Sequence, residues 1–388
     1  MRVHVVDPSA YTPPYDRALC AALARQGAEV RLITSRFAYG PVPAPAGYVV
    51  EEAFYGLASR VPGSPAAAGT TTPGTGPPTA RRRAAARTRF ALKLLEHGPE
   101  MLRYRRRARG ADIVHFQWLT VQPVDVHLLP ARPRVLTAHD VLPREPRPGQ
   151  RRAQRRLYER MDAIVVHSEH GRRRLIEELG LDEDRIHAIP HGAFTHLTEL
   201  PDTVALPDEL RAVSGPVVLC FGLMRPYKGI DVLIEAWRGI EGAELWVVGM
   251  PRMDIEALRA SAPPNVRFVA RFITDPEIPA YFRRADVVVL PYREIDQSGV
   301  LFTALAFGRP LVLTDVGGFS EIAAEGVARA VAPGDPSALR AALADLLADE
   351  GTRLEFARRA QALVQGPYSW EAVATQTLEL YRSLGAPW

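Results

Sequence analysis

The chain has 388 residues, 47% hydrophobic and 24% charged, and its 48 Lys and Arg against 44 Asp and Glu leave a net charge of +4. That composition describes an ordinary soluble globular protein, excludes a disordered or collagen-like chain, and gives no ground for nucleic acid as a partner. The length is too great for one hydrophobic core, so two domains are expected.

The start, M-R-V-H-V-V-D-P, reads as a short strand without a signal-peptide core, and no apolar run is long enough to cross a bilayer. The two cysteines, Cys20 and Cys220, lie in helix-like and strand-like contexts and read as small buried residues in a reducing compartment. A cytoplasmic protein is expected. Val3 to Val6 forms the first strand, Arg17 to Gln26 a helix closed by Gly27, and Val30 to Thr34 the next strand. This is the opening of a doubly wound α/β sheet.

Pro41 to Thr79 is rich in Pro, Gly, Ala, Ser and Thr, densest from Ser59, and reads as a flexible insertion. Arg81 to Arg109 then carries eleven basic residues against Glu96 and Glu100, with Phe90, Leu94, Leu95, Met101 and Leu102 at helical spacing. Two readings stand: a solvated helical face, or a surface for anionic lipid or an acidic acceptor. The α/β rhythm resumes with strands at Asp112 to Phe116, Arg134 to Asp140, Ala163 to His167 and Ile186 to Ile189, with helices at Gln150 to Arg160 and Glu169 to Leu179. His196 to Gly215, polar and proline-punctuated, reads as an interdomain linker.

The second half repeats the scheme, with strands at Val217 to Phe221, Glu244 to Val248, Val266 to Phe268, Val287 to Leu290, Leu311 to Thr314 and Ala328 to Val331. Two such halves imply a cleft lined by strand ends. The stretch V-V-L-C-F-G-L-M-R-P-Y-K-G is strand, loop, helix start: Arg225 offers a planar fork, Lys228 a point charge, and Gly222 permits close backbone approach, as a diphosphate requires. Lys228 is expected to be an exposed loop residue. A turn with two solvated charges fits the same residues. A second element follows at Pro291 to Pro310, where a polar loop leads into a helix starting near Ser298 and stopped by Gly308 and Pro310. Free N–H groups at Ser298, Gly299 and Val300 would form another anion-binding terminus.

F-G-L-M-R-P-Y-K-G, S-G-V-L-x-x-A-L-A-F-G-R-P-L-V and T-D-V-G-G-F-S-E together resemble the C-terminal domain of GT-B-fold glycosyltransferases. The nearest branch is the retaining family 4. The T-A-H-D, P-H-G and Y-S-W-E-A-V segments agree, and the resemblance covers nearly the whole chain. It implies two Rossmann-like domains: 1–195 for the acceptor, a linker at 196–215, 216–365 for the nucleotide-sugar, and 366–388 as a helix returning to the first domain. It also implies a metal-independent, retaining transferase using a nucleotide diphosphate-sugar such as a UDP-sugar, with no cofactor. The acceptor would be a glycolipid, polysaccharide precursor or small natural product, in family members often lipid-linked, with possible peripheral membrane contact.

By resemblance Arg225 and Lys228 neutralise the departing diphosphate. Arg271, Phe272 and Ile273 match the nucleobase segment, and His139 would contact the transferred sugar; a structural role suits His115 and His191 better. The family's paired glutamates are missing, since Ile295 and Thr303 occupy those positions. Asp296, with Glu294 beside it, is expected to replace the first, and Thr303 to give ribose a single hydroxyl contact. T-P-P-Y replaces the family's glycine-rich first loop. A nucleotide-sugar 2-epimerase of the same fold and a non-catalytic sugar-nucleotide or membrane-binding protein are the alternatives.

Overall fold

A computed structural model describes residues 1–37, 42–61, 80–143, 148–202 and 204–387, with side chains from residue 84 onward in the helix Ala80–Arg107. The chain divides into two compact units, Met1–Pro190 with Trp370–Trp388, and His191–Ser369.

In the first unit a parallel seven-stranded sheet contains β1 (Arg2–Asp7), β2 (Glu29–Ser35), β3 (Val49–Phe54), β4 (Ile113–Phe116), β5 (Arg134–Thr137), β6 (Ala163–Val166) and β7 (Ile186–Ala188). Their spatial order is β3-β2-β1-β4-β5-β6-β7. The order reverses between β1 and β4, so the loops leaving those strands diverge and open a crevice at their carboxyl ends. The inner strands are apolar throughout because helices cover both faces of a parallel sheet. β3 is a correction: it lies inside the stretch read as a flexible insertion. Its sequence V-V-E-E-A-F leaves one residue fully buried, which an edge strand tolerates. Within that insertion, residue 41 and residues 62–79 lie outside the described residues.

The helix Ala80–Arg107 divides its apolar residues instead of gathering them on one face. Met101 and Tyr104 are buried in the core, while Phe90, Leu94, Leu95 and Leu102 are exposed. The final helix, Trp370–Ser383, packs on Pro13–Arg25. Tyr381 Oη bonds His115 Nδ1 at 2.6 Å, and Arg25 pairs with Glu371 at 2.6 Å.

The second unit holds a parallel six-stranded sheet of β8 (Val217–Phe221), β9 (Glu244–Val248), β10 (Val266–Val269), β11 (Val287–Leu290), β12 (Leu311–Thr314) and β13 (Ala328–Val331). The order β10-β9-β8-β11-β12-β13 puts the switch point between β8 and β11. Trp246, Phe282, Phe302 and Phe319 fill one side of the sheet. Each such ring contributes about 2–3 kcal/mol on burial. The 196–215 stretch is not a free linker. Leu210 is fully buried in this core, Arg283 donates to the Thr198 and Leu200 carbonyls, and Arg284 to those of Val213 and Gly215.

Candidate active site

In the second unit the loop leaving β8 and the loop leaving β11 flank the switch point, and a glycine locks them together. Gly229 has φ +64°, and a Cβ there would stand 2.0 Å from the Pro291 carbonyl oxygen. Only glycine allows that approach. Arg293 fastens the same two loops, donating to the Pro226 carbonyl at 2.8 Å and pairing with Asp231 at 2.5 Å.

Lys228 is buried, which corrects the expectation of an exposed loop lysine. Its ammonium donates to Tyr292 Oη at 2.7 Å and lies 4.5 Å from that ring's centre. A phenol oxygen and a ring face orient an ammonium without cancelling its charge. Arg225 is exposed on the same loop, and no hydrogen bond or ion pair among the described residues engages its guanidinium.

Gly222, with φ +110°, marks where these groups converge. A Cβ there would lie 3.1 Å from Lys228 Nζ and 3.2 Å from Val300 Cγ2. The missing side chain thus leaves space bounded by a fixed cation and the first turn of the helix Gly299–Ala306. At that helix start the Ser298 N–H is taken by Gln297 Oε1 at 3.0 Å, which corrects the expectation that it is free. The amides of Gly299 and Val300 are the first and second of the helix and point out of it.

The other expected residues divide. Asp296 is buried and Glu294 exposed. Thr303 Oγ1 donates to the Gly299 carbonyl at 2.9 Å, so its proton serves the helix and only its lone pairs remain for a ligand. Arg271 is held by Glu277 at 2.5 Å and by the Phe272 carbonyl at 3.0 Å, and its pKa is raised chiefly by the Glu277 hydrogen bond. Phe272 is half-buried beside it, but Ile273 packs its side chain in the core and offers a ligand only its backbone. The motif match assigned Ile273; its side chain belongs instead to the core that holds Tyr281 and Phe282.

His139 belongs to the first unit and follows β5. Trp118 stacks on its ring at 5.2 Å and Tyr15 meets it edge-on at 4.7 Å. Its Nε2 lies 3.0 Å from the Gln117 side-chain amide and its Nδ1 3.2 Å from His167 Nε2. Gln117 and Trp118 leave β4, so this cluster borders the first switch point. His115 bonds Tyr381 and Thr137 inside the fold, and burial lowers its pKa to about 3. His191 stacks on Phe302 at 4.6 Å, also a structural position.

Beneath T-P-P-Y, which the structure folds as the start of the helix Pro13–Arg25 and not as a loop, sits a pair that sequence reasoning passed over, Asp7 and Asp16. Asp7 accepts the N–H groups of Ser9, Tyr11 and Thr12, and Thr12 Oγ1 donates to Asp16 at 3.2 Å. Burial raises both carboxyls, Asp16 further through the charge of Asp7. Asp7 is the better solvated by N–H donors, so a proton held by the pair is favoured on Asp16. A strand ending in Asp-Pro, followed by a second carboxylate one helical turn into the next element, is the signal that was available.

Residues 17–196 match the family model described as Glycosyltransferase Family 4, and residues 215–349 the one described as Glycosyl transferases group 1. The chain is 27% identical over 303 residues to the D-inositol 3-phosphate glycosyltransferase of Xylanimonas cellulosilytica, covering 70% of this chain and 71% of that one. It is 30% identical over 238 residues to the phosphatidyl-myo-inositol mannosyltransferase of Mycobacterium leprae, covering 58% and 60% respectively. Among solved structures, the sucrose-phosphate synthase of Thermosynechococcus elongatus matches with a TM-score of 0.71 at 20% identity, covering 100% of this chain and 99% of that one. Anabaena HepE, solved in complex with UDP-glucose, matches at 0.70 and 18% identity, covering 99% and 100%. With both sheets of the GT-B type and both halves matched by glycosyltransferase models, the chain belongs to the GT-B glycosyltransferases of family 4.

Proposed function

We propose that the protein transfers a sugar, with retention, from a nucleoside-diphosphate sugar to an acceptor without a divalent metal. The convergence of Gly222, Lys228 and the Gly299–Ala306 helix start at a switch point supports this reading most directly. A diphosphate brings charge that a buried ammonium, Arg225 and two helix amides are placed to meet. A UDP-sugar is the first donor to test, since HepE is solved with UDP-glucose. The relatives' names put inositol phosphate and its lipid conjugate among the acceptors to test. Asp296 is assigned to the transferred sugar and Thr303 to the ribose.

The test combines a thermal-shift panel of UDP, GDP, ADP and CDP and their sugars with an assay of nucleotide release. Saturating ligand at about a hundred times its dissociation constant adds roughly 2.7 kcal/mol. Release of nucleoside diphosphate only when acceptor is present is expected; donor conversion without acceptor would point to epimerisation, and binding without turnover to a non-catalytic role. Asp296→Asn should lower turnover and leave bare nucleotide affinity unchanged. The same result from Glu294→Gln alone would move the role to Glu294.

A further inference from the structure

The histidine pair behind Trp118 fixes the proton positions on His139. His167 Nδ1 lies 3.1 Å from the backbone carbonyl of Ile189. A carbonyl only accepts, so Nδ1 of His167 carries the proton. Burial lowers the His167 pKa to about 4, which makes the ring neutral near pH 7 and leaves Nε2 a lone pair. That lone pair faces His139 Nδ1 at 3.2 Å, so His139 must donate from Nδ1.

Gln117 gives an independent sign of the same arrangement. Its side chain is fully buried, its amide oxygen is placed 3.0 Å from His139 Nε2, and its amide nitrogen has no partner among the described residues. A buried NH2 without an acceptor is costly, and two acceptors facing each other repel. Exchanging the amide's oxygen and nitrogen, which occupy the same volume, gives the NH2 an acceptor and ends the repulsion when His139 Nε2 is a lone pair, and leaves unpaired only the oxygen, the less costly of the two. Groups facing the pair include Tyr15, which touches both rings, and His115, itself neutral and bonded elsewhere.

We propose that His167 is a positioning residue that holds His139 as the neutral Nδ1–H tautomer, presenting Nε2 as a hydrogen-bond acceptor. Resting on the reading of His139 as a sugar contact, this means that the sugar hydroxyl at that point donates to Nε2 and takes the place of the Gln117 amide. A carboxylate there would meet a lone pair and be turned away.

Long-range proton–nitrogen NMR of the full-length protein labelled with 15N-histidine tests this without any substrate, so its outcome is independent of whether the chain proves to be a retaining transferase. His139→Gln and His167→Gln spectra assign the two rings. Both should show the Nδ1–H pattern near neutral pH. His167→Phe removes the acceptor and should shift His139 toward the Nε2–H form preferred by free imidazole. His167→Gln offers an amide oxygen to His139 and an amide N–H to Ile189, and should restore the Nδ1–H form. An imidazolium or Nε2–H His139 in the wild type overturns the proposal. So does a His139 signal in a folded Phe variant identical to the wild type, and the wild-type spectrum decides the matter if that variant does not fold.

Discussion

The loops leaving β1 and β8 occupy the same topological place in their sheets and present opposite charge. β1 ends in Asp7-Pro8, and its loop closes over two carboxyls that burial raises. β8 ends in Phe221-Gly222, and its loop turns an ammonium inward beside a helix start. The switch-point crevice supplies only the location; the first residues past the strand decide whether an anion is welcome there. A diphosphate therefore suits the β8 loop and not the β1 loop, and the first unit's cluster offers imidazole, indole and hydroxyl groups instead.

The comparison breaks most sharply at Lys228. We expect Lys228→Ala to lower turnover at least about a hundredfold, as loss of a transition-state donor does. Because the side chain is buried against Tyr292, Lys228→Met serves as a companion that refills the space. Recovery of activity in the Met variant would show that packing, not charge, was the contribution.

Stability measurements probe how rigidly the second loop is held. Gly229→Ala places a methyl at φ +64° and 2.0 Å from a carbonyl oxygen, and should cost more than about 2 kcal/mol. Gly239, with φ +85° and nothing within 4 Å of its missing Cβ, is the control, where Ala should cost about 1 kcal/mol. Equal denaturant midpoints for the two variants would show that the loops are not interlocked.

The carboxyl pair of the first unit should respond unequally. Asp7→Asn removes one of two oxygens that serve three N–H groups and should cost about 1–3 kcal/mol. Asp16→Asn keeps an acceptor for Thr12 and a donor toward Asp7, so it should be neutral or stabilising at pH 7. The folded pKa of Asp16 lies above the unfolded 3.8, so its favourable contribution is complete below that value and is lost as pH rises through the folded one. The Asp16→Asn protein should thus gain on the wild type in melting temperature as pH rises from about 4 to 7. A constant difference across that range would rule out a shared proton.

The smallest effect is expected at the surface. The helix Ala80–Arg107 exposes Phe90, Leu94, Leu95 and Leu102 among arginines, a pattern we propose to contact anionic lipid or an acidic acceptor. No described helix is long and apolar enough to cross a membrane, so any contact would be peripheral. Each basic residue contributes up to about 1 kcal/mol, screened within roughly 8–10 Å by salt. Wild type should sediment with anionic vesicles at low salt and less at high salt. A variant with Arg103, Arg105, Arg106 and Arg107 changed to Gln should remain in the supernatant. Wild type staying in the supernatant at low salt would make the helix a solvated face.

The strands of the second half were legible to within one residue, because strands covered on both faces are continuous apolar runs with few alternatives. β3 was hidden because an edge strand needs no such run. Residues 196–215 read as a linker since nothing local reveals that Arg283 and Arg284 hold their carbonyls. The burial of Lys228 was equally out of reach, for its partner Tyr292 is 64 positions away. The motif named the residue, and the long-range contact shows how it is held. Around His139 only the histidine itself carried a signal; Gln117, Trp118 and His167 become meaningful once β4, β5 and β6 lie side by side.

The final helix has a consequence for synthesis. Domains form in order as the ribosome delivers them, but the first unit takes its Trp370 and Tyr381 from a stretch translated after the second unit. The contiguous segment 191–369 is complete before its predecessor is. Throughout that interval the nascent chain shows Tyr15 without Trp370 against it, and His115 lacks the hydroxyl of Tyr381. The unit begun first is therefore finished last, and its half-built face is the one a ribosome-bound chaperone would meet.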